Sequence, residues 1–82
     1  TAAHLASYRS ETSAARGWSV LEGRYPTALA GLHPEYRTVD IPGKGRFIRL
    51  FASGLPSDTA ARQLCASVSA SGSYCRVMPL GG

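Results

Sequence analysis

Apolar and polar positions along the chain describe one short unit that occurs twice. An alternating apolar run at residues 4–8 precedes the polar and alanine-rich residues 10–16, and a second run at residues 47–52 precedes the similar residues 55–62. Both copies contain the motif Ala-Ala-Arg, preceded by serine and an acidic residue. Alternation is typical of a half-buried strand, and serine followed by a carboxylate is typical of a helix start. Each copy therefore predicts a strand, a turn and a capped helix.

Two segments have the 3.6-residue apolar period of an amphipathic helix. The first helix is predicted from Glu11 to about Arg24, with Gly17 either weakening it or allowing close packing on a sheet, and with Pro26 as its stop. The second is predicted from the cap Ser57 to about residue 70. The expected buried positions of the two helices are Ala14, Trp18, Leu21 and Tyr25 in the first, and Ala61, Leu64, Cys65 and Val68 in the second.

Four strands are predicted, at residues 4–8, 36–41, 47–52 and 74–78, with Val39 as the core residue of the second. The sequence Pro42-Gly43-Lys44-Gly45 predicts a turn that joins the middle two strands in a hairpin. The resulting order, βαββαβ, is the split βαβ plan of ferredoxin-like and RNA-recognition folds. We therefore expect an α+β domain with a four-stranded antiparallel sheet and two helices on one face.

Alternation assigns the strand residues to two faces of this sheet. Leu5, Ile48, Leu50, Ala52 and Val77 are expected on the helix side, and His4, Ala6, Phe47, Arg49, Phe51, Arg76 and Met78 on the opposite side. Aromatic and arginine side chains on an uncovered sheet predict a stacking and hydrogen-bonding platform. The alternative is that residues 27–34, another domain or a second copy covers this face.

Length and charge narrow the class of protein. The 82 residues allow one domain with a modest core, since a chain of this size buries only about 60% of its unfolded surface. No apolar run reaches the roughly 20 residues that a bilayer requires, and no signal-peptide pattern is present. The net charge of +4 is spread along the chain, which predicts a diffuse positive field. Because the chain begins with Thr1, we expect a processed product or an excised domain.

Cys65 and Cys75 are the only cysteines. Two cysteines and two distant histidines do not supply the four ligands of a structural zinc site, so no metal is expected. A disulfide fits the pair and would indicate an oxidising compartment. Two small buried thiols are the alternative reading.

Three segments of the chain follow one another in the order of a known family. They are the opening 4–18, the Gly-rich turn and aromatic strand 43–50, and the segment 64–77, with one cysteine in the predicted second helix and one in the predicted last strand. In this order they resemble a SPOR domain, the last segment being similar to the family variant with two cysteines. The resemblance extends over nearly the whole chain, from His4 to Met78.

The resemblance implies a bacterial module that binds peptidoglycan strands lacking stem peptides, which accumulate at the division septum. Such modules usually lie at one end of a larger envelope protein, so residues 1–82 are expected to be a single domain in its C-terminal part. The implied location is the periplasm, with membrane attachment only through an anchor outside this sequence. A monomer without cofactor is expected, with denuded GlcNAc-MurNAc strands as ligand and cell-division or cell-wall enzymes as candidate further partners.

The same resemblance suggests which residues contact the glycan. Removal of the stem peptide leaves a lactyl carboxylate on each MurNAc, which arginine binds by charge-assisted hydrogen bonds. Arg49 is expected to bind it with help from Arg9 or Arg76, while Phe47, Phe51 and Tyr8 pack on sugar rings. His4 and Ser7 match the polar positions of the family's first strand.

Three other function classes compete with this one. An enzyme is disfavoured because no carboxylate is placed to orient His4 or His33, and five carboxylates give no clear acid–base pair. An RNA-binding module is disfavoured because Arg46 and Ile48 follow Lys44-Gly45 where aromatic residues are required. A protein–protein interaction module of the envelope that uses the same sheet face remains the alternative.

Overall fold

The computed structural model describes residues 1–79, and within them strands and helices follow the predicted order βαββαβ. The elements are β1 (Ala2–Tyr8), α1 (Glu11–Arg24), β2 (His33–Ile41), β3 (Gly45–Ser53), α2 (Asp58–Ala70) and β4 (Arg76–Met78).

The four strands form one antiparallel sheet in the order β2-β3-β1-β4. The predicted α+β fold and the β2–β3 hairpin are confirmed. β2 is an edge strand, which explains how it accommodates Pro34, because an edge strand does not need every backbone N–H for pairing.

Both helices begin where serine can cap them. The Ser10 side chain accepts a hydrogen bond from the Ser13 backbone N–H at 3.1 Å, and Ser57 accepts one from Ala60 at 3.1 Å. Such a cap satisfies one of the unpaired N–H groups of the first turn. The repeated serine thus sets the start of each helix, as predicted.

The hydrophobic core lies between the helices and one face of the sheet. All of the predicted inward residues of α2 are buried, and in α1 Ala14 and Trp18 are buried while Leu21 packs at the edge of the core. The prediction for β2 was wrong, because Val39 pairs with Phe47 on the other face, and Tyr36 packs against the core instead. The core cluster comprises Ala3, Leu5, Trp18, Tyr25, Leu29, Leu50, Ala52, Leu64, Cys65 and Val68.

A disulfide joins α2 to the approach of β4. Cys65 and Cys75 are bonded, with their Cα atoms 5.0 Å apart, so the disulfide prediction is confirmed over two free thiols. Strand β4 is shorter than predicted and contains only Arg76–Met78. Tyr74 lies before the strand, where its hydroxyl is 3.2 Å from Nδ1 of His4.

The connector between α1 and β2 packs on the helix side of the sheet. Leu29 is 3% exposed and belongs to the core cluster. This connector therefore does not cover the opposite face, which was one alternative for residues 27–34. Within residues 1–79, the helices are too short or too polar to span a bilayer.

Candidate ligand-binding face

The sheet face opposite the helices, called here the open face, carries rows of paired side chains, and three of these rows contain the candidate contact residues. The first row crosses all four strands, with Glu35, Phe51, His4 and Arg76 as successive neighbours. The second row contains Arg37, Arg49 and Ser7, and the third pairs Val39 with Phe47. Side chains of one row are close enough to act on the same ligand.

A β-bulge in β1 decides which residues of that strand reach the open face. Ala3 pairs with Ala52 and His4 with Phe51, but Ala6 pairs with Leu50, so the register shifts by one residue between His4 and Ala6. Each residue beyond the shift exchanges its face relative to strict alternation. Ser7 consequently lies opposite Arg49 on the open face, whereas the prediction that Ala6 lies there was wrong.

The same shift removes Tyr8 from the predicted contact residues. Tyr8 pairs with Ile48 and packs against the core on the helix side. An alanine Cβ at Gly17 would overlap the Tyr8 hydroxyl and lie 3.0 Å from its Cε1 atom, so the ring rests directly on α1. Tyr8 is therefore part of the supporting layer, and its expected contact with a sugar ring was wrong.

Phe51 lies on the open face but is only 3% exposed. Its ring centroid is 5.2 Å from that of His4, in a tilted arrangement. Burial leaves too little ring surface for a sugar to stack on, so the prediction of direct contact by Phe51 is corrected. The Phe51 ring instead packs against the imidazole of His4, and this aromatic contact stabilises the orientation of His4.

His4 is a buried polar residue held by neighbours on both ring nitrogens. Its Nδ1 lies 3.2 Å from the Tyr74 hydroxyl and its Nε2 lies 3.3 Å from the Ser7 hydroxyl. Burial lowers the pKa of His4, a backbone hydrogen bond at Ala6 opposes this, and the nearby charge of Arg49 lowers the pKa further. The ring is therefore neutral at neutral pH, with one nitrogen as donor and the other as acceptor toward the two hydroxyls of Tyr74 and Ser7.

Arg76, the strand neighbour of His4, lies at the outer end of the first row. It is exposed, and its charge also lowers the pKa of His4, which places both groups within electrostatic reach of one another. A single anion at this end of the row can therefore interact with the exposed guanidinium of Arg76.

Arg9 and Phe47 form a flat platform near the β2–β3 hairpin. The Arg9 guanidinium carbon lies 4.3 Å from the centroid of the Phe47 ring, a cation–π geometry. Gly45, the first residue of β3, lies beside this platform. A Cβ added to Gly45 would be 3.6 Å from Nη1 of the Arg9 guanidinium. The stacked guanidinium keeps its outward surface and donors for a ligand, so the two predicted contact residues act as one unit.

Positive charge dominates the open face. Arg9, Arg37, Arg49 and Arg76 lie on or beside it, and among residues 1–79 Glu35 is the one carboxylate in its rows. Glu35 is 3.8 Å from Arg37, with both side chains partly exposed. Within the described part of the chain, neither Arg49 nor Arg76 forms a salt bridge. Their guanidinium groups are therefore available to an anionic ligand.

Several residues of the open face were not assigned to it from the sequence. Glu35 and Arg37 belong to β2, whose alternation was assigned only from the apolar Val39. The signal that could have found them was the hairpin itself, because a tight turn over residues 42–44 fixes which residues of β2 oppose Phe47 and Arg49. Tyr74 was included in a strand, and nothing in the sequence indicated that its hydroxyl would reach His4.

A groove lies on the helix side of the molecule. It is a shallow groove of about 280 Å³ between α2 and the segments that contain Ala28 and Leu55, and its lining has no charged side chain. Among residues 1–79, three or more His, Cys, Asp or Glu side chains do not converge on a point where a metal ion could bind.

In comparisons with known proteins, no family model, curated protein or solved structure matches this chain.

Proposed function

We propose that this domain is a non-catalytic module that binds peptidoglycan glycan strands from which the stem peptides have been removed. The observation that carries the proposal is the open face, where Arg49 and Arg76 have no carboxylate partner among residues 1–79 and Phe47 supports a third guanidinium. The resemblance of residues 4–78 to SPOR domains supports the same ligand.

The chemistry of the ligand fits this face. A denuded strand presents one lactyl carboxylate on each MurNAc, and guanidinium groups bind carboxylates by paired, charge-assisted hydrogen bonds. The sugar rings between these charges present partly apolar C–H faces, which can pack on the platform of Arg9 and Phe47. Ser7 is exposed beside Arg49 and supplies a neutral hydroxyl for sugar hydroxyls or acetamido groups, while the buried His4 holds that hydroxyl in place through its Nε2.

Selectivity follows from the same contacts. A stem peptide turns the lactyl carboxylate into an amide, which removes the negative charge and adds bulk over the sheet. The arginines would then lose their charged partner, and a site that loses a buried or partly buried partner rejects the wrong ligand. A parent protein that carries this module would be directed to the division septum, in the periplasm, where such strands accumulate.

A pull-down with purified glycan strands tests the proposal. Strands are used before and after amidase removal of the stem peptides, and binding is expected only after treatment. Arg49→Gln should reduce binding at least several-fold, because it removes a charge-assisted contact. Arg62→Gln is the matched control, since Arg62 is an exposed arginine of α2 in the helix layer. Equal binding to both kinds of strand, or to neither, would overturn the proposal.

A further inference from the structure

Arg37 and Arg49 occupy directly opposite positions on neighbouring strands of the open face. Like charges directly opposite one another destabilise a sheet relative to a neutral pair. Glu35 lies 3.8 Å from Arg37 and offsets part of this repulsion, but it forms no salt bridge with Arg49 within the described residues. A repulsive pair on an exposed face indicates that a counter-charge comes from outside the chain.

We propose that Arg37 and Arg49 together bind one carboxylate of the ligand, with Arg37 exchanging its contact to Glu35 for the ligand. This deepens the proposed function and rests on it for the identity of the ligand, a sugar that carries a free lactyl carboxylate. Arg37 thus has a binding role, although the sequence indicated no binding residue in β2.

The geometry of the second row favours two-sided recognition of a carboxylate. The Cα atoms of directly opposite residues in an antiparallel pair are about 4.5–5.5 Å apart, and their side chains stand roughly perpendicular to the sheet. Two guanidinium groups at this separation can each donate to one carboxylate oxygen. Ser7, on the other side of Arg49 in the same row, adds a hydroxyl. One carboxylate can thus meet donors from three strands.

Apolar side chains lie next to this charged row. Val39 and Phe47 form the following row, one step closer to the β2–β3 hairpin, and both are half-buried. A sugar whose carboxylate lies between Arg37 and Arg49 would have its ring or its acetamido methyl group over this pair. Charge complementarity and an adjoining apolar surface therefore select a carboxylated sugar over a small inorganic anion.

Glu35 has a distinct role in this arrangement. It holds Arg37 in the absence of ligand, and its carboxylate repels the incoming one. Removing the charge of Glu35 should therefore strengthen ligand binding, whereas removing the charge of Arg37 should weaken it. Opposite effects from two neighbouring residues of one edge strand would not arise from a general loss of folding.

The experiment is an NMR titration of the ¹⁵N-labelled protein with N-acetylmuramic acid, with N-acetylglucosamine as the probe that lacks the carboxylate. The Nε–H signals of Arg37 and Arg49 should shift with the first sugar and not with the second. Arg37→Gln should weaken binding roughly fivefold, since a partly exposed charge contact contributes modestly. Glu35→Gln should strengthen it about twofold at low salt.

Arg46→Gln is the matched control variant. Arg46 is an exposed arginine of the same hairpin, and its Nε lies 3.4 Å from Asp40, away from the second row. This variant should leave the affinity for N-acetylmuramic acid unchanged.

Two results separate this inference from the proposed function. If amidase-treated strands bind but Arg37→Gln behaves like Arg46→Gln, the paired-arginine site is wrong and the proposed function stands. If N-acetylmuramic acid shifts Arg37 and Arg49 while treated strands do not bind, the site is supported and the proposed function is overturned. Equal shifts with both sugars would also overturn the carboxylate site.

Discussion

Replacing Gly17 with alanine tests the packing of Tyr8 on helix α1. Because Tyr8 follows the β-bulge, the same substitution tests which face of the sheet each residue of β1 after the bulge occupies. In an exposed helix interior this change would stabilise the protein by up to about 1 kcal/mol, because alanine has the higher helix propensity. Here the new Cβ would overlap the hydroxyl and Cζ of Tyr8 and lie 3.0 Å from its Cε1. The sign of the effect therefore depends on whether the ring can move.

The structure gives the expected size of this effect. Tyr8 packs against the core, so displacing its ring also disturbs the packing around it. Overpacking of this kind costs about 1–3 kcal/mol, and the upper part of that range applies here because the overlap involves more than one atom of Tyr8. After the gain in propensity at Gly17 is subtracted, a net loss of about 1–2 kcal/mol remains. For a domain of this size the melting temperature should fall by roughly 5–15 °C.

Gly23→Ala in the same helix is the matched control. A Cβ at Gly23 meets no atom within 4 Å, so this variant should be as stable as the original protein or slightly more stable. Thermal unfolding by circular dichroism measures both variants, with the disulfide kept oxidised. In a Tyr8→Ala background, Gly17→Ala should no longer destabilise, since the overlapping ring is absent. If Gly17→Ala raises the melting temperature as Gly23→Ala does, Tyr8 does not rest on α1 and the register of β1 is wrong.

Three further predictions concern stability. Reducing the Cys65–Cys75 disulfide, which spans a sequence separation of 10, should lower the free energy of unfolding by roughly 3 kcal/mol; urea unfolding with and without reductant would show this, and equal midpoints would contradict it. Ser57→Ala should cost about 1 kcal/mol through loss of the cap to Ala60, whereas Ser57→Gly should cost only a few tenths, and equal losses would argue against the cap. Because burial lowers the pKa of His4, the unfolded chain binds the proton more readily, so stability should fall as the pH drops below about 6.5 and level off below the lowered pKa. His4→Gln should reduce that slope, and an unchanged slope between pH 7 and 5 would show that His4 does not cause it.

The architecture could be predicted from the sequence because its signals are local. Serine caps, apolar residues at helical spacing and Gly-rich turns each act within a few residues, and they placed both helices and the hairpin correctly. The errors in β2 and β4 have a different origin. Val39 and Tyr36 are both suitable for a core, and only pairing with β3 decides which faces the helices. The length of β4 depends on its pairing with β1, which local sequence does not encode.

The candidate site was harder to predict because the β-bulge between His4 and Ala6 decides which residues of β1 lie on the open face. Strict alternation from His4 puts Ala6 and Tyr8 on the open face and Ser7 on the other, whereas the bulge reverses all three beyond it. No glycine or proline marks this bulge in the sequence, since β1 consists of Ala, His, Leu, Ser and Tyr residues. The bulge has two consequences that support one another. It turns Tyr8 toward Gly17, where only a residue without a side chain fits, and it turns Ser7 toward His4 and Arg49. A substitution that displaces Tyr8 from Gly17 should therefore also disturb the position of Ser7 beside His4 and Arg49. The Gly17 variant thus couples the packing of α1 to the second row of the open face.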